Sequence, residues 1–313
     1  ALTALKHRWS FSNNLVDSIG GSNATISDLA FNGNTGVTQN PTSVSIAGGA
    51  KTTFDDFVTL GSNLLPNSTD AVTIELWATQ DAVRNWARIF DFNNGTGEYA
   101  MMTWTNGVNL ATDHTTLRDT RPDGSAGEDG VYDTNQPYTL GVEHHIVLTI
   151  QPSVGTSGRT KVTIYAAPTS ATDLGVAQGS FESTINLINL VDQYNDLGYS
   201  PWAGDFTASA TYNEVRMWKG SPTQFVLEAL HDQGADNAAL PADTDGDSLP
   251  DAWETAIFGN LSKVGSADTD GDGFSNYAEY IAGSNANDGT LTPQDTDGDG
   301  LQDAWEIQYF GNI

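Results

Sequence analysis

The chain has 313 residues, 40 Asp and Glu against 12 Lys and Arg, and a formal charge of -28, with no cysteine. So few basic residues exclude a phosphate-binding surface and hence a nucleic-acid partner. The absence of cysteine excludes disulfides and thiolate metal sites, and no run of eighteen apolar residues offers a membrane span.

The charge is concentrated at one end. Residues 243–313 carry fifteen acids and one base, Lys263, for a net of -14; the preceding 242 residues carry twenty-five acids and eleven bases, also -14. A boundary is expected at "DNAALPAD", 236–243, which divides the chain into domains 1–236 and 237–313. Short runs with period-two alternation recur in the first domain: 42–48, 71–79, 87–92, 98–104, 144–150, 160–167 and 212–218. Each is bounded by Gly, Asn, Asp or Ser, the pattern of half-buried strands between turns. Only 222–234 reads as a helix, with Pro222 near its start and Gly234 past its end. This arrangement predicts an all-β sandwich or jelly roll.

"LKHRWSFSNNLVDSIGGSNATI", "VTIELWATQ", "NWARIFDF", "HHIVLTI" followed by "KVTIYAA", and "LGYSPWAGDF...ATYNEVRMWKG" occur in that order. Together they resemble a bacterial laminin-G-like domain of the concanavalin A-like jelly-roll class. The resemblance covers most of residues 5–233 and implies the fold rather than an activity, since this fold hosts lectins, carbohydrate-binding modules, lyases and adhesion domains. Where such domains often carry Leu-Gly-Arg-Ser, this chain has Leu197, Gly198, Tyr199 and Ser200.

Three acidic phrases follow the boundary. Asp243, Asp245, Asp247, Leu249, Asp251 and Glu254 align with Asp268, Asp270, Asp272, Phe274, Asn276 and Glu279, and with Asp295, Asp297, Asp299, Leu301, Asp303 and Glu306. These are positions 1, 3, 5, 7, 9 and 12 of a calcium loop: alternate carboxylates turn inward, position 7 lends a carbonyl, and the Glu closes the shell. Gly273 and Gly300 take position 6, where Ser248 in the first loop is expected to be strained. The loops resemble thrombospondin type 3 and dockerin-like calcium repeats, and about three structural Ca2+ ions are expected. Each loop leads into a short helix with an aromatic face, Trp253, Ile257 and Phe258 in the first and Tyr277, Tyr280 and Ile281 in the second, with Gly259 and Gly283 as caps. Helices this short do not stand alone, so they should fold only when calcium neutralises the carboxylates. The repeat unit is 52 residues, from Asp243 to Asp295, with two loops. The third loop thus begins a second unit, as in a piece of a longer calcium-dependent stalk.

The sandwich shows no pattern of catalytic acids. Glu75 stands alone in its strand, and His144 and His145, being adjacent, face opposite sides, so no catalytic residue is expected. Trp86, Tyr99, Trp104 and Trp202 are candidate stacking platforms for a sugar. The polar stretch 112–137 reads as a long loop, often a functional feature; its acids, Asp113, Asp119, Asp123, Glu128, Asp129 and Asp133, could hold a further calcium but lack loop spacing. The leading expectation is a non-catalytic, secreted or cell-surface binding and adhesion module on a calcium-rigidified spacer. Its partner would be a polysaccharide, a glycoprotein or a second copy. A structural matrix, fibre or surface-layer component is one alternative, and an accessory domain of a polysaccharide-degrading enzyme is another.

Overall fold

The computed structural model describes residues 4–29, 36–52, 55–66, 68–107, 112–120, 126–134 and 138–293. They group into two compact units, one within Ala1–Ser221 and Gly234–Asp236, the other within Pro222–Gln233 and Asn237–Ile313. The helix Gln224–Gln233 thus groups with the acidic segment rather than with the strands that precede it.

The first unit holds β1 (Ala4–Trp9), β2 (Thr25–Asp28), β3 (Val37–Gln39), β4 (Val44–Ile46), β5 (Asp56–Thr59), β6 (Val72–Ala82), β7 (Arg88–Asn93), β8 (Tyr99–Thr103), β9 (Thr115–Thr120), β10 (Ala126–Tyr132), β11 (Glu143–Gln151), β12 (Thr160–Pro168), β13 (Gly179–Ser183), β14 (Tyr194–Leu197) and β15 (Ser209–Lys219). One sheet runs β13-β12-β11-β6-β15-β4-β3, with β1 also on β15; the other runs β10-β9-β8-β7-β14-β5-β2. Every described pairing is antiparallel, as expected of a sandwich.

Alternation explains the core. From the seven-stranded sheet Val58, Phe90, Phe92, Ala100, Met102, Leu117 and Leu197 point inward; from the other, Ile74, Leu76, Ile146, Leu148, Ile150, Val162, Ile164, Val215 and Met217 meet them. A large aliphatic or aromatic side chain buried in this way contributes about 1.5–3 kcal/mol, and the period of two leaves every second residue on an outer face. On the outer face of the eight-stranded sheet the intervening positions are polar yet sealed. Glu75 accepts from His145 Nε2 at 2.9 Å and from Trp218 Nε1 at 2.8 Å, and Arg216 lies over the Trp77 ring at 4.3 Å. Burial pushes the Glu75 carboxyl upward, but the hydrogen bond and charge of His145, with Arg216 and Trp218, overcome it and hold the pKa below the usual range. Arg216 also donates to the carbonyls of Gly234 and Ala235. Glu75 and His145 are therefore packed structural partners.

The stretch 112–137 differs from the expected loop. β9 and β10 pair antiparallel, Ala126 opposite Thr120 and Tyr132 opposite Thr115, and continue the sheet beyond β8.

Candidate functional site

In the second unit, helices α2 (Asp251–Phe258) and α3 (Asn276–Ala282) follow two loops of the same geometry; the helix Gln224–Gln233, in chain order, is α1. In the first loop Asp243 accepts from Gly246 N at 2.8 Å and Ser248 N at 3.1 Å, and Asp247 from Leu249 N at 2.9 Å. In the second, Asp268 accepts from Gly271 N at 2.7 Å and Gly273 N at 3.0 Å, and Asp272 from Phe274 N at 2.8 Å. These bonds fold the loops so that Asp243, Asp245 and Asp247 converge, and likewise Asp268, Asp270 and Asp272, each trio offering one oxygen apiece within 4.8 Å of one another. Ser248 takes φ 80°, in the left-handed region that Gly273 occupies at 99°.

The closing glutamates fit a cation. Among the described residues Glu254 is fully buried and neither carboxylate oxygen has a hydrogen-bond partner, and Glu279 is fully buried with Oε2 unpartnered. Asp270 Oδ2 and Asp272 Oδ2 are likewise buried without partners. Burial, followed by the charges of Asp247, Asp245, Asp251 and Asp243, pushes the Glu254 carboxyl up to about 7. Burial with Asp270, Asp272 and Asp268 does the same for Glu279. An all-oxygen donor set of this charge is the chemistry of a hard divalent ion. At position 9, Asp251 accepts from the backbone and hydroxyl of Thr244, and Asn276 accepts from Thr269 N at 3.2 Å. Behind the loops, Leu249, Trp253, Tyr280 and Ala286 form a small core, with Phe225, Ile257, Phe258 and Tyr277 packed on it. Gly259 and Gly283 cap the helices at φ 74° and 78°. Asp295, Asp297, Asp299, Leu301, Asp303 and Glu306 lie outside the described residues, as does the side chain of Ile281.

The first unit carries a separate constellation on the outer face of the seven-stranded sheet. One row across the strands is Thr59, Asp196, Asp91, Met101, Thr116; the next is Tyr194, Asn93, Tyr99, Arg118. The Arg118 guanidinium lies 5.7 Å from the Tyr99 ring centre and 5.6 Å from that of Trp202. Trp202 is 38 % exposed and Tyr194 48 %. The segment bearing Trp202 is pinned from below: Lys51 Nζ donates to the carbonyls of Ser200 and Trp202, while Asp205 accepts from Arg88 at 3.0 Å and Ser200 at 2.6 Å. Burial lowers the Lys51 pKa to about 8. Trp86 stands edge-on to His114 at 5.4 Å and within 5.8 Å of Arg88. Its φ of 52° is a rare conformation for a bulky residue and stores strain. Gly107 lies against its ring, where a Cβ would come 1.8 Å from Nε1.

Of the four aromatics singled out in the sequence, Trp86, Tyr99 and Trp202 border this face. Trp104 is a correction: it is 0 % exposed, within the sandwich core and edge-on to Tyr138 at 4.9 Å, so it has no face to offer a ligand. Tyr99 is also buried, at 3 % exposure, with the Arg118 guanidinium over its ring. Sequence reasoning missed Arg118, Tyr194 and the Asp91–Asp196 pair, although the alternation in "QYNDLG" puts Tyr194 and Asp196 on one face. Arg88 donates to Asp91 at 3.0 Å. Burial raises the Asp91 pKa to about 6 and that of Asp196 to about 7, where the charge of Asp91 adds to the effect of burial. Of the acids in 112–137, Asp113 accepts from Thr134 N and Asp133 pairs with His114; with Asp119 they form no trio among the described residues. Asp123 and the side chains of Glu128 and Asp129 lie outside the described residues.

Residues 268–289 and 295–311 match the model of the bacterial TSP3 repeat. No curated protein matches the chain. Among solved structures, domain 4 of AbnA, a GH43 extracellular arabinanase from Geobacillus stearothermophilus in complex with arabinotriose, aligns with TM-score 0.48 at 17% identity. The alignment covers 74% of this chain and 100% of that one. The binding domain of botulinum neurotoxin DC in complex with SialylT aligns with TM-score 0.46 at 11% identity, covering 76% of this chain and 52% of that one. The Ruminococcus gnavus IT-sialidase CBM40 bound to alpha2,3 sialyllactose aligns with TM-score 0.40 at 11% identity, covering 60% and 95%. These likenesses are distant and say nothing of this chain's ligand. No described helix is long and apolar enough to cross a membrane.

Proposed function

We propose that this chain is a non-catalytic extracellular binding module whose sandwich holds a glycan and whose acidic repeats are stiffened by calcium. The observation that carries the glycan reading is the exposed Trp202 ring, held in place beside Arg118 on a face that also presents Tyr194 and Trp86. An exposed aromatic ring on a pinned segment meets the apolar face of a sugar, and Arg118 is a donor for its hydroxyl or carboxylate groups. In the repeats, Asp243, Asp245, Asp247 and Glu254 hold one ion and Asp268, Asp270, Asp272 and Glu279 a second, with the backbone carbonyls of Leu249 and Phe274 completing the shells. Asp295, Asp297, Asp299, Leu301, Asp303 and Glu306 supply a third by the same spacing. Calcium here screens carboxylates and orders the helices; it takes no part in a reaction.

A glycan array, followed by titration of the best ligand, tests the reading. Trp202→Ala should weaken binding by about 2 kcal/mol, the loss expected for a central aromatic anchor. Binding unchanged in this variant refutes the proposed face. No binding to any glycan, together with calcium-dependent polymerisation, favours a structural matrix component instead.

A further inference from the structure

Outside the repeats, the sandwich brings together a third acidic trio that the loop motif does not describe. Asp28 ends β2 and Asp56 opens β5, and the two are direct antiparallel partners; Asp55 precedes them on the same edge. Each offers a carboxylate oxygen, and the three oxygens lie within 4.8 Å of one another. Asp55 is 5 % exposed and Asp56 3 %. Asp56 Oδ2 accepts from Gly36 N at 2.6 Å, whereas Oδ1 is buried and has no hydrogen-bond partner among the described residues. The approach of the Gly36 backbone depends on the missing side chain, because a Cβ there would come 2.9 Å from Asp56 Oδ2.

Like charges directly opposite on paired strands repel, and a buried carboxylate oxygen left without a hydrogen bond costs about 1–3 kcal/mol. We propose that Asp28, Asp55 and Asp56 form a calcium site that fastens the edge strand β2 to β5. The donor set contains only hard oxygens, as calcium prefers. Three convergent carboxylates suit calcium, which is held by several protein oxygens in a flexible shell, better than magnesium, which keeps several waters and is usually bound through one or two carboxylates. The site is independent of the repeats and of the glycan reading. Phe57, next in chain to Asp56, stacks on Tyr199 with ring centres 4.0 Å apart.

The test uses the full chain and calcium alone. Equilibrium dialysis with radiolabelled calcium should show one fewer ion per chain in Asp55→Asn/Asp56→Asn than in the parent. The melting temperature of the sandwich should respond in opposite senses: lower than the parent in calcium, equal or higher in EDTA, where the substitutions remove repulsion. The single variant Asp28→Asn, which leaves the Gly36–Asp56 bond in place, should show the same pattern if the double variant fails to fold. An unchanged calcium count overturns the site. So does a loss of stability that is equal with and without calcium, since it would mark the trio as a hydrogen-bonded structural cluster. Equal protection by magnesium would overturn the assignment to calcium.

Discussion

Asp196→Asn should make the sandwich more stable at neutral pH and leave it unchanged in acid. Asp196 is 4 % exposed and stands directly across from Asp91 in the middle of the seven-stranded sheet. Burial first, and the charge of Asp91 second, raise its pKa from 3.8 to about 7, against a hydrogen bond from Thr59 that lowers it. The unfolded chain releases this proton around pH 4, while the native sandwich keeps it until about pH 7. Between those values the native state binds more protons, so parent stability falls as pH rises. A displacement of about 3 units corresponds to about 4 kcal/mol at 1.36 kcal/mol per unit, an upper bound because the two aspartates share their titration. Asparagine carries no charge to desolvate, so the variant lacks this slope. Urea unfolding followed by tryptophan fluorescence, in saturating calcium from about pH 3 to 8, reads the difference between parent and variant. The gap should open steadily above about pH 4, level off near pH 7 and stand at a few kcal/mol at pH 8. A gap that does not change with pH, or a variant less stable than the parent at pH 8, refutes the reasoning.

Two substitutions in the repeats test separate parts of the argument. Ser248→Gly should relieve the left-handed backbone at φ 80°, stabilise the first loop by about 1 kcal/mol, and raise its calcium affinity severalfold in calorimetric titration. Leu249→Ala removes a fully buried side chain from the core shared with Trp253 and Tyr280. It should destabilise the calcium-loaded repeats by about 2–5 kcal/mol, visible as a lower melting temperature for that transition with the sandwich transition unmoved.

The strands that form the centre of the sandwich were legible because both sides of their alternation are long: 71–79 overlaps Val72–Ala82 at all but its first residue, 144–150 lies within Glu143–Gln151, and 212–218 within Ser209–Lys219. The loop aspartates were equally legible, since a motif confined to twelve residues carries its own geometry. Strand pairing joins what sequence distance separates, and that part was hidden. Asp28 meets Asp55 and Asp56 only through the β2–β5 register, and Asp91 meets Asp196 only through β7–β14. Trp104 and Trp202 are the same residue type in polar surroundings, yet one follows an edge of the core and the other rides a surface turn. Residues 112–137 contain Gly and Asp that suggest a loop, but the β-branched run at Thr115 and Thr116 pairs with the strand that follows, and local composition gave way to sheet continuation.

Differential scanning calorimetry of the full chain with and without EDTA bears most directly on the idea that carboxylate-dense repeats hold their shape by wrapping ions. In calcium, two transitions are expected, one for the repeats and one for the sandwich. In EDTA the repeat transition should disappear, because Glu254 and Glu279 are then buried among aspartates with no counter-charge, while the sandwich transition persists, shifted only by what its edge site contributes. Two transitions at the same temperatures in both conditions would contradict the account.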